Sequence, residues 1–264
     1  MQMTQQDEEK LTTESGVSEE KSTTDPVLLD EMVKAGVLYG RRKSKTNPRM
    51  QRYIFTTRNG AEILDIVQTI PMVLRAAQFL ADVARKRETI LFVGTTPASK
   101  EYVRAIAEKF GYPFVTERWL GGTLTNFKTI FQRLQYYLKL KADRQAGRLE
   151  KYTKKERTEF DKEIERLTFL FNGLEVITKP PQAIVVVGVS SHEITVREAR
   201  RLKIPIVGVL SSDADPDLVD YPVPANDFAK PSIAWVMQRF ESAIEEARKE
   251  VALPPGPAPE AKKF

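Results

Sequence analysis

The sequence predicts an α/β fold, in which a helical hairpin projects from a doubly wound parallel sheet. Three short apolar runs rich in β-branched residues are typical of buried parallel strands, and they span 89–93, Ala183–Val187 and 204–210. Amphipathic helical patterns fill the intervals between these runs. Because crossovers between parallel strands are right-handed, this alternation places helices on both faces of the sheet. One long charged stretch, 127–171, interrupts it.

Weaker strand patterns occur at 112–115 and 218–223, where prolines indicate the edges of the sheet. Four helices are predicted in the remaining intervals. They are a helix capped by Thr69 with Pro71 near its first turn, a helix over 97–110 closed by Gly111, a helix over 193–202, and a last helix opened by Pro231.

The charged stretch carries two helical patterns with one narrow apolar stripe each. Apolar residues recur at helical spacing from Phe127 to Leu138 and again from Phe160 to Phe171, and Gly147 marks a reversal between them. Two antiparallel helices can bury such stripes against each other. We therefore predict a helical hairpin inserted at about 126–171.

The two ends of the chain differ from this folded body, which we place at 26–250. Residues 1–26 hold seven acidic and two basic residues, a net charge of −5, so the overall charge of +5 leaves about +10 for the remainder. We expect residues 1–25 to form a disordered acidic tail, and residues 251–264 a disordered proline-rich tail.

Composition excludes several classes of function. The chain has no cysteine, which excludes disulfides and thiolate metal sites, and its single histidine, His192, leaves few routes to a catalytic triad. Apolar runs are shorter than a membrane span, and the polar, acidic N-terminus does not resemble a signal peptide. We expect a soluble, intracellular protein with no membrane partner and no small-molecule substrate.

The densest basic segment predicts binding to nucleic acid. Residues 41–58 hold seven cations and no acid, and Asn47-Pro48 indicates a loop. Binding of phosphates is the simplest compensation for their mutual repulsion, although a solvated loop is the alternative. Tyr39 and Tyr53 flank the segment and could stack on bases. The hairpin tip, 139–157, adds a net charge of +5 from eight basic and three acidic residues, and it serves equally well as a solvated face.

Three further segments have both a structural and a functional interpretation. The segment 117–126 is either a hinge that sets the exit angle of the hairpin or a ligand loop, and Thr125 or Asn126 can cap the next helix. The strand ends at Gly94 and Gly188 could hold a nucleotide, but neither glycine-rich phosphate motif is present, and His192 is predicted to be a surface histidine at a helix start. The acidic run 213–217 could bind a hard cation or form an Asx turn.

The order of motifs along residues 27–250 resembles the bacterial ribosomal protein S2 family. The specific string is Arg118-Trp119-Leu120-Gly121-Gly122-Thr123-Leu124-Thr125-Asn126, and it is preceded by Asn47-Pro48-Arg49-Met50 and followed by Asp215-Pro216-Asp217. The resemblance implies a flavodoxin-like parallel sheet with an inserted α-helical coiled-coil hairpin. It also implies a structural component of the small ribosomal subunit, between head and body on the solvent side, in the cytoplasm.

Several positions depart from the family pattern. Members commonly carry histidines where this chain has Leu38 and Arg41, and acids or histidines where it has Gly188, Ser190, Ser191 and Ser211. We therefore expect no metal and no cofactor.

The leading interpretation is a non-catalytic protein whose partners are small-subunit ribosomal RNA and neighbouring ribosomal proteins. The candidate RNA-binding residues are Arg41, Arg42, Lys43, Lys45, Asn47, Arg49, Arg52, Arg58 and Arg118. The candidate structural residues at the hairpin base are Trp119, Gly121, Gly122 and Asn126. The alternatives are a nucleotide-binding enzyme domain that uses the loops at Gly94 and Gly188, and a regulatory module that uses the hairpin for protein contacts.

Overall fold

The computed structural model describes residues 26–252. The acidic tail predicted over 1–25 lies outside the described residues, as does 253–264 of the predicted proline-rich tail, while residues 251 and 252 end the last helix. The strands are β1 (Tyr39–Arg42), β2 (Ile54–Arg58), β3 (Ala61–Leu64), β4 (Ile90–Val93), β5 (Phe114–Val115), β6 (Ala183–Val187), β7 (Ile206–Leu210) and β8 (Tyr221–Pro224). The helices are α1 (Pro26–Lys34), α2 (Ile66–Arg85), α3 (Lys100–Phe110), α4 (Phe127–Gln145), α5 (Lys154–Phe171), α6 (Glu193–Arg201) and α7 (Lys230–Ala252).

Five parallel strands form the main sheet in the order β5-β4-β6-β7-β8. The predicted edge strands, with their prolines, are the two outer strands. Every residue of β4, β6 and β7 is buried, because helices cover both faces of the sheet. One apolar cluster joins alternate strand residues to α2, α3 and α7, and a second cluster joins the others to α4, α5 and α6.

A second, smaller sheet was not predicted. Strands β1, β3 and β2 pair antiparallel in that order, and β1 and β2 take up the two ends of the segment 41–58 that the sequence indicated as a loop. That expectation was wrong for these two ends because β1 has only four residues and β2 five, and neither segment shows the apolar alternation of a half-buried strand.

Helix α2 begins earlier than predicted. Asp65 caps it by accepting hydrogen bonds from the backbone N–H groups of Val67 and Gln68, whereas Thr69 lies buried inside the helix and donates its hydroxyl to the Asp65 carbonyl. Pro71 is therefore an interior residue of the helix. Among the described helices, α2 is the one that is long and apolar enough to cross a membrane, but its apolar side packs on α7 and β8 as part of the core.

Helices α4 and α5 run antiparallel after a turn at Gly147, where φ is +69°. Leu134, Tyr137, Leu167 and Phe171 are buried between them and the sheet. Thr153 forms a capping box with Glu156 at the start of α5.

Candidate nucleic-acid interface

The small sheet and its turns carry all seven predicted cations of the basic segment. Arg41 and Arg42 end β1, Lys43 and Lys45 form one 3-10 turn, Arg49 and Arg52 lie in a second turn, and Arg58 ends β2. Asn47 caps the second turn by accepting the Arg49 backbone N–H at 3.0 Å, so its side chain has a structural use. Arg42 and Arg58 both pair with Ala61 of the central strand, which brings these two arginines to the same level of the sheet.

Arg41 holds the small sheet against the main sheet. Its guanidinium lies 3.4 Å from a carboxylate oxygen of Asp213 and 3.4 Å from one of Asp227, and its Cζ lies 3.2 Å from the Phe228 ring centroid. Its backbone N–H donates to the Ser212 hydroxyl at 2.8 Å. These contacts compensate the charge of Arg41 within the chain, and its contact with RNA stays a prediction.

Arg49 and Arg52 are also neutralised inside the chain. Arg49 forms ion pairs with Asp215 and Asp217, and Arg52 forms an ion pair with Asp217. Asp215 in addition caps a short 3-10 helix by accepting the Asp217 backbone N–H. The acidic run is thus an Asx-type turn that faces the basic turn and compensates the charge of these two arginines within the chain, while their binding to phosphates stays a prediction.

Four cations of the small sheet have no carboxylate partner within residues 26–252. All four side chains are exposed, and they are Arg42, Lys43, Lys45 and Arg58. We call this group the open basic surface. Tyr39 is half-exposed beside it, whereas Tyr53 packs partly into the core with the Arg52 guanidinium 5.0 Å from its ring.

The buried Asp227 carboxyl has an unusual electrostatic environment. Burial raises its pKa to about 7, the positive charge of Arg41 opposes this rise, and the negative charge of Asp213 adds to it. One oxygen of each carboxylate has no hydrogen-bond partner within the described chain. The carboxylates of Asp213 and Asp227 do not fit a site for a divalent cation, because the Arg41 guanidinium contacts both of them. The neighbouring Ser211 and Gly188 add no charged ligand.

The base of the hairpin is fixed by Glu198, a residue that sequence reasoning missed. Its carboxylate accepts the Trp119 indole N–H at 3.1 Å and the backbone N–H groups of Gly122, Leu124 and Thr125 at 2.8, 3.0 and 3.2 Å. Burial would raise the Glu198 pKa, but these hydrogen bonds outweigh burial and hold it below its ordinary value. The one signal in the sequence is that Glu198 lies beside Ala199 on the apolar side of the helix pattern, where an acid is unusual.

The other predicted residues of the hairpin base differ in what they do. Gly122 has φ of +89°, a conformation that favours glycine, whereas a Cβ on Gly121 would meet open space. Asn126 stands at the start of α4, but its side chain accepts the Thr129 hydroxyl instead of a backbone N–H, so the predicted side-chain cap is absent there. Arg118 is exposed and has no carboxylate partner among the described residues.

The basic hairpin tip is partly neutralised. Arg144 pairs with Asp161 and Arg148 with Asp143, and Lys141 pairs with Glu175 just after the hairpin. Within the described residues, five exposed cations of the tip have no carboxylate partner, and they are Lys139, Lys151, Lys154, Lys155 and Arg157.

The strand ends at Gly94 and Gly188 are joined by His192, which is buried rather than on the surface as predicted. Its Nε2 accepts the Thr95 backbone N–H at 3.1 Å, and its Nδ1 therefore carries the proton and donates to the Gly188 carbonyl at 2.7 Å. Burial lowers the pKa of His192. With both ring nitrogens occupied, this histidine is not placed to act as a general base.

Gly94 also has a packing use. A Cβ there would lie 2.7 Å from the Ser99 hydroxyl and 2.8 Å from a Val103 methyl group, so the glycine lets α3 approach β4 closely. Gly188 has φ of +84°, a conformation that favours glycine. The presence of both glycines is thus explained without a bound phosphate.

Comparison with known proteins finds one family over most of the chain. The family model described as ribosomal protein S2 matches residues 32–247. The small ribosomal subunit protein uS2 of Thermus thermophilus is 41% identical over 228 residues, which are 86% of this chain and 89% of the relative. The uS2 proteins of Nocardia farcinica and Coprothermobacter proteolyticus are 40% and 37% identical, over 83% and 84% of this chain and 77% and 83% of theirs.

Proposed function

Because this chain belongs to the ribosomal protein S2 family, we propose that it binds small-subunit ribosomal RNA through the open basic surface. The family is structural and non-enzymatic, and its relatives are proteins of the small ribosomal subunit in the bacterial cytoplasm. The RNA contacts, the position between head and body, and the neighbouring ribosomal proteins are parts of this proposal.

One observation supports the proposal above the others, namely the division of the seven cations. Arg41, Arg49 and Arg52 face aspartates, so their contribution to a phosphate interface is small. The four cations of the open basic surface face solvent without such partners. Charges left uncompensated in the free protein can neutralise phosphates and release counterions, which gives salt-dependent binding directed by shape.

The hairpin extends the proposal to a second contact. We propose that α4 and α5 are an inserted coiled-coil hairpin on a flavodoxin-like sheet, and that the five unpaired cations of its tip also face RNA or a neighbouring protein. The strand order of the main sheet and the antiparallel ion pair between Arg144 and Asp161 support this arrangement.

A salt titration tests the main proposal. The variant with alanine at Arg42, Lys43, Lys45 and Arg58 is compared with a matched variant that has alanine at four exposed cations elsewhere, Arg75, Lys86, Lys179 and Arg201. We measure binding to small-subunit ribosomal RNA over a salt series from roughly 50 to 200 mM. Because each lost phosphate contact lowers the salt slope by about one, the slope of the first variant falls by about three to four. Equal slopes for both variants contradict the proposal.

A further inference from the structure

A cleft of about 420 Å³ lies where β4 and β6 end, beside the segment that follows β5. The chain leaves β4 for one neighbouring strand, β5, and later returns to the other, β6, so the strand order reverses at this point. Ligands of open α/β sheets bind outside the carboxyl ends of strands at such a reversal. The cleft is separate from the open basic surface, and it shares Trp119 with the group of hydrogen bonds around Glu198.

The charges around the cleft favour an anion. Glu117 pairs with Lys100 and Arg104, and Glu193 pairs with Arg197, so both carboxylates that line the cleft are already neutralised. Arg118 also lines it and has no carboxylate partner in the described part of the chain. The one uncompensated charge is therefore positive.

The walls of the cleft supply an aromatic ring and hydroxyl groups. The half-buried Trp119 lines the cleft, and the bond from its indole N–H to Glu198 fixes the orientation of the ring. Ser190 and Ser191 lie at the rim of the cleft. The Thr195 hydroxyl is completely buried at the cleft wall and has no hydrogen-bond partner among the described residues.

We propose that this cleft binds one unpaired nucleotide, with its base stacked on Trp119 and its phosphate held by Arg118. An aromatic platform beside a cation is the pairing that single-stranded nucleic acids use, because every base has a π-face and a neighbouring phosphate. Hydroxyl groups at the wall can bond the ribose or the base edge. This site rests on the proposed RNA-binding function, and the same chemistry also fits a free mononucleotide.

Intrinsic fluorescence tests the stacking directly. The chain has two tryptophans, so Trp235→Phe leaves Trp119 as the single emitter. We titrate this variant with hexaadenylate, a six-base-pair RNA duplex, adenosine monophosphate and inorganic phosphate. We expect saturable quenching by hexaadenylate and no comparable quenching by the duplex. If adenosine monophosphate quenches at concentrations similar to those of hexaadenylate, the ligand is a free nucleotide. If it needs much higher concentrations, the ligand is RNA. If inorganic phosphate competes with hexaadenylate as strongly as the monophosphate does, the base does not stack on Trp119.

Variants separate stacking from the structural use of Trp119. Trp119→Ala weakens binding of hexaadenylate about fivefold or more, whereas Trp119→Phe keeps most of it, because the ring remains although the bond to Glu198 is lost. Arg118→Ala also weakens the binding of hexaadenylate. The matched control is Arg75→Ala on α2, which packs on the opposite face of the sheet. If Arg118→Ala and Arg75→Ala bind hexaadenylate with the same affinity, or if hexaadenylate leaves the emission of Trp119 unchanged, the cleft is not a nucleotide site. The salt slope of the open basic surface tests RNA binding independently of either result.

Discussion

The carboxylate of Glu198 accepts the indole N–H of Trp119 at 3.1 Å, and it thereby ties α6 to the segment that opens the hairpin. The same carboxylate accepts three backbone N–H groups of that segment, so one side chain on the main domain sets the path of the chain into α4. The exit angle of the hairpin thus depends on a charge contact 79 residues away in sequence.

Replacing Glu198 by glutamine should destabilise the protein. The amide nitrogen of glutamine is a donor and leaves buried N–H groups without an acceptor, so we expect a loss of about 2–3 kcal/mol in the free energy of unfolding. Urea denaturation measures it. Glu193→Gln on the same helix is the control, because Glu193 is exposed and its partner is the exposed Arg197, and the loss of unfolding free energy should stay within about 0.5 kcal/mol. If both variants lose the same free energy of unfolding, Glu198 does not hold the base of the hairpin.

The pH dependence of this contribution has a definite sign. The pKa of Glu198 is lower in the folded state than in the unfolded chain, so its stabilisation is complete above the unfolded pKa near 4.3 and is lost as pH falls through the folded pKa. The difference in unfolding free energy between the wild type and Glu198→Gln should therefore shrink on acidification below about pH 4.

Asp227 should give the opposite dependence. Its folded pKa is about 7 against about 3.9 in an unfolded chain, so between these values the folded state holds a proton that the unfolded state releases. Stability from this group is complete below about pH 4, falls by at most about 1.4 kcal/mol per pH unit as pH rises, and is constant above about 7.

Unfolding free energies of Asp227→Asn at pH values from about 4.5 to about 8 check this dependence. The variant should lack the decline of the wild type, since asparagine does not titrate. Asp217→Asn, which removes a half-exposed carboxylate that pairs with Arg52, should keep the decline. Parallel curves for the wild type and Asp227→Asn would show that burial does not perturb this carboxyl.

Gly40 is required where the small sheet meets the main domain. A Cβ at this position would lie 2.9 Å from the Ser212 hydroxyl and 3.1 Å from the Glu62 carbonyl, and that hydroxyl already accepts the Arg41 N–H. We expect Gly40→Ala to cost about 1–3 kcal/mol in urea denaturation. Gly121→Ala is the matched control, because its Cβ meets open space and its cost should be within about 0.5 kcal/mol. A Gly40→Ala variant as stable as the control contradicts the close packing.

Local patterns predicted the parts of the fold that are local in origin. The buried runs of β4, β6 and β7 are continuous apolar segments, and the two hairpin helices have apolar residues at helical spacing, so both could be identified without tertiary contacts. The strands of the small sheet escaped detection because segments such as Tyr39–Arg42 are short and polar, and owe their conformation to pairing with β3.

Composition predicted the candidate site, and long-range contacts determine which of its cations are paired within the chain. The basic segment was evident, but which of its cations are free depends on aspartates far away in the sequence, for example Asp215, which lies 166 residues from Arg49. His192 gave no sign of its burial, because its partners Thr95 and Gly188 are brought together only by the pairing of β4 with β6. No local pattern carries such information.

A density map of the small ribosomal subunit that contains this chain would show whether the open basic surface binds RNA. We expect Arg42, Lys43, Lys45 and Arg58 to lie within about 4 Å of RNA phosphate oxygens, while Arg41, Arg49 and Arg52 keep their aspartate partners. A map in which the small sheet faces solvent, or in which the phosphates contact Arg49 and Arg52 after these have left Asp215 and Asp217, would contradict this expectation.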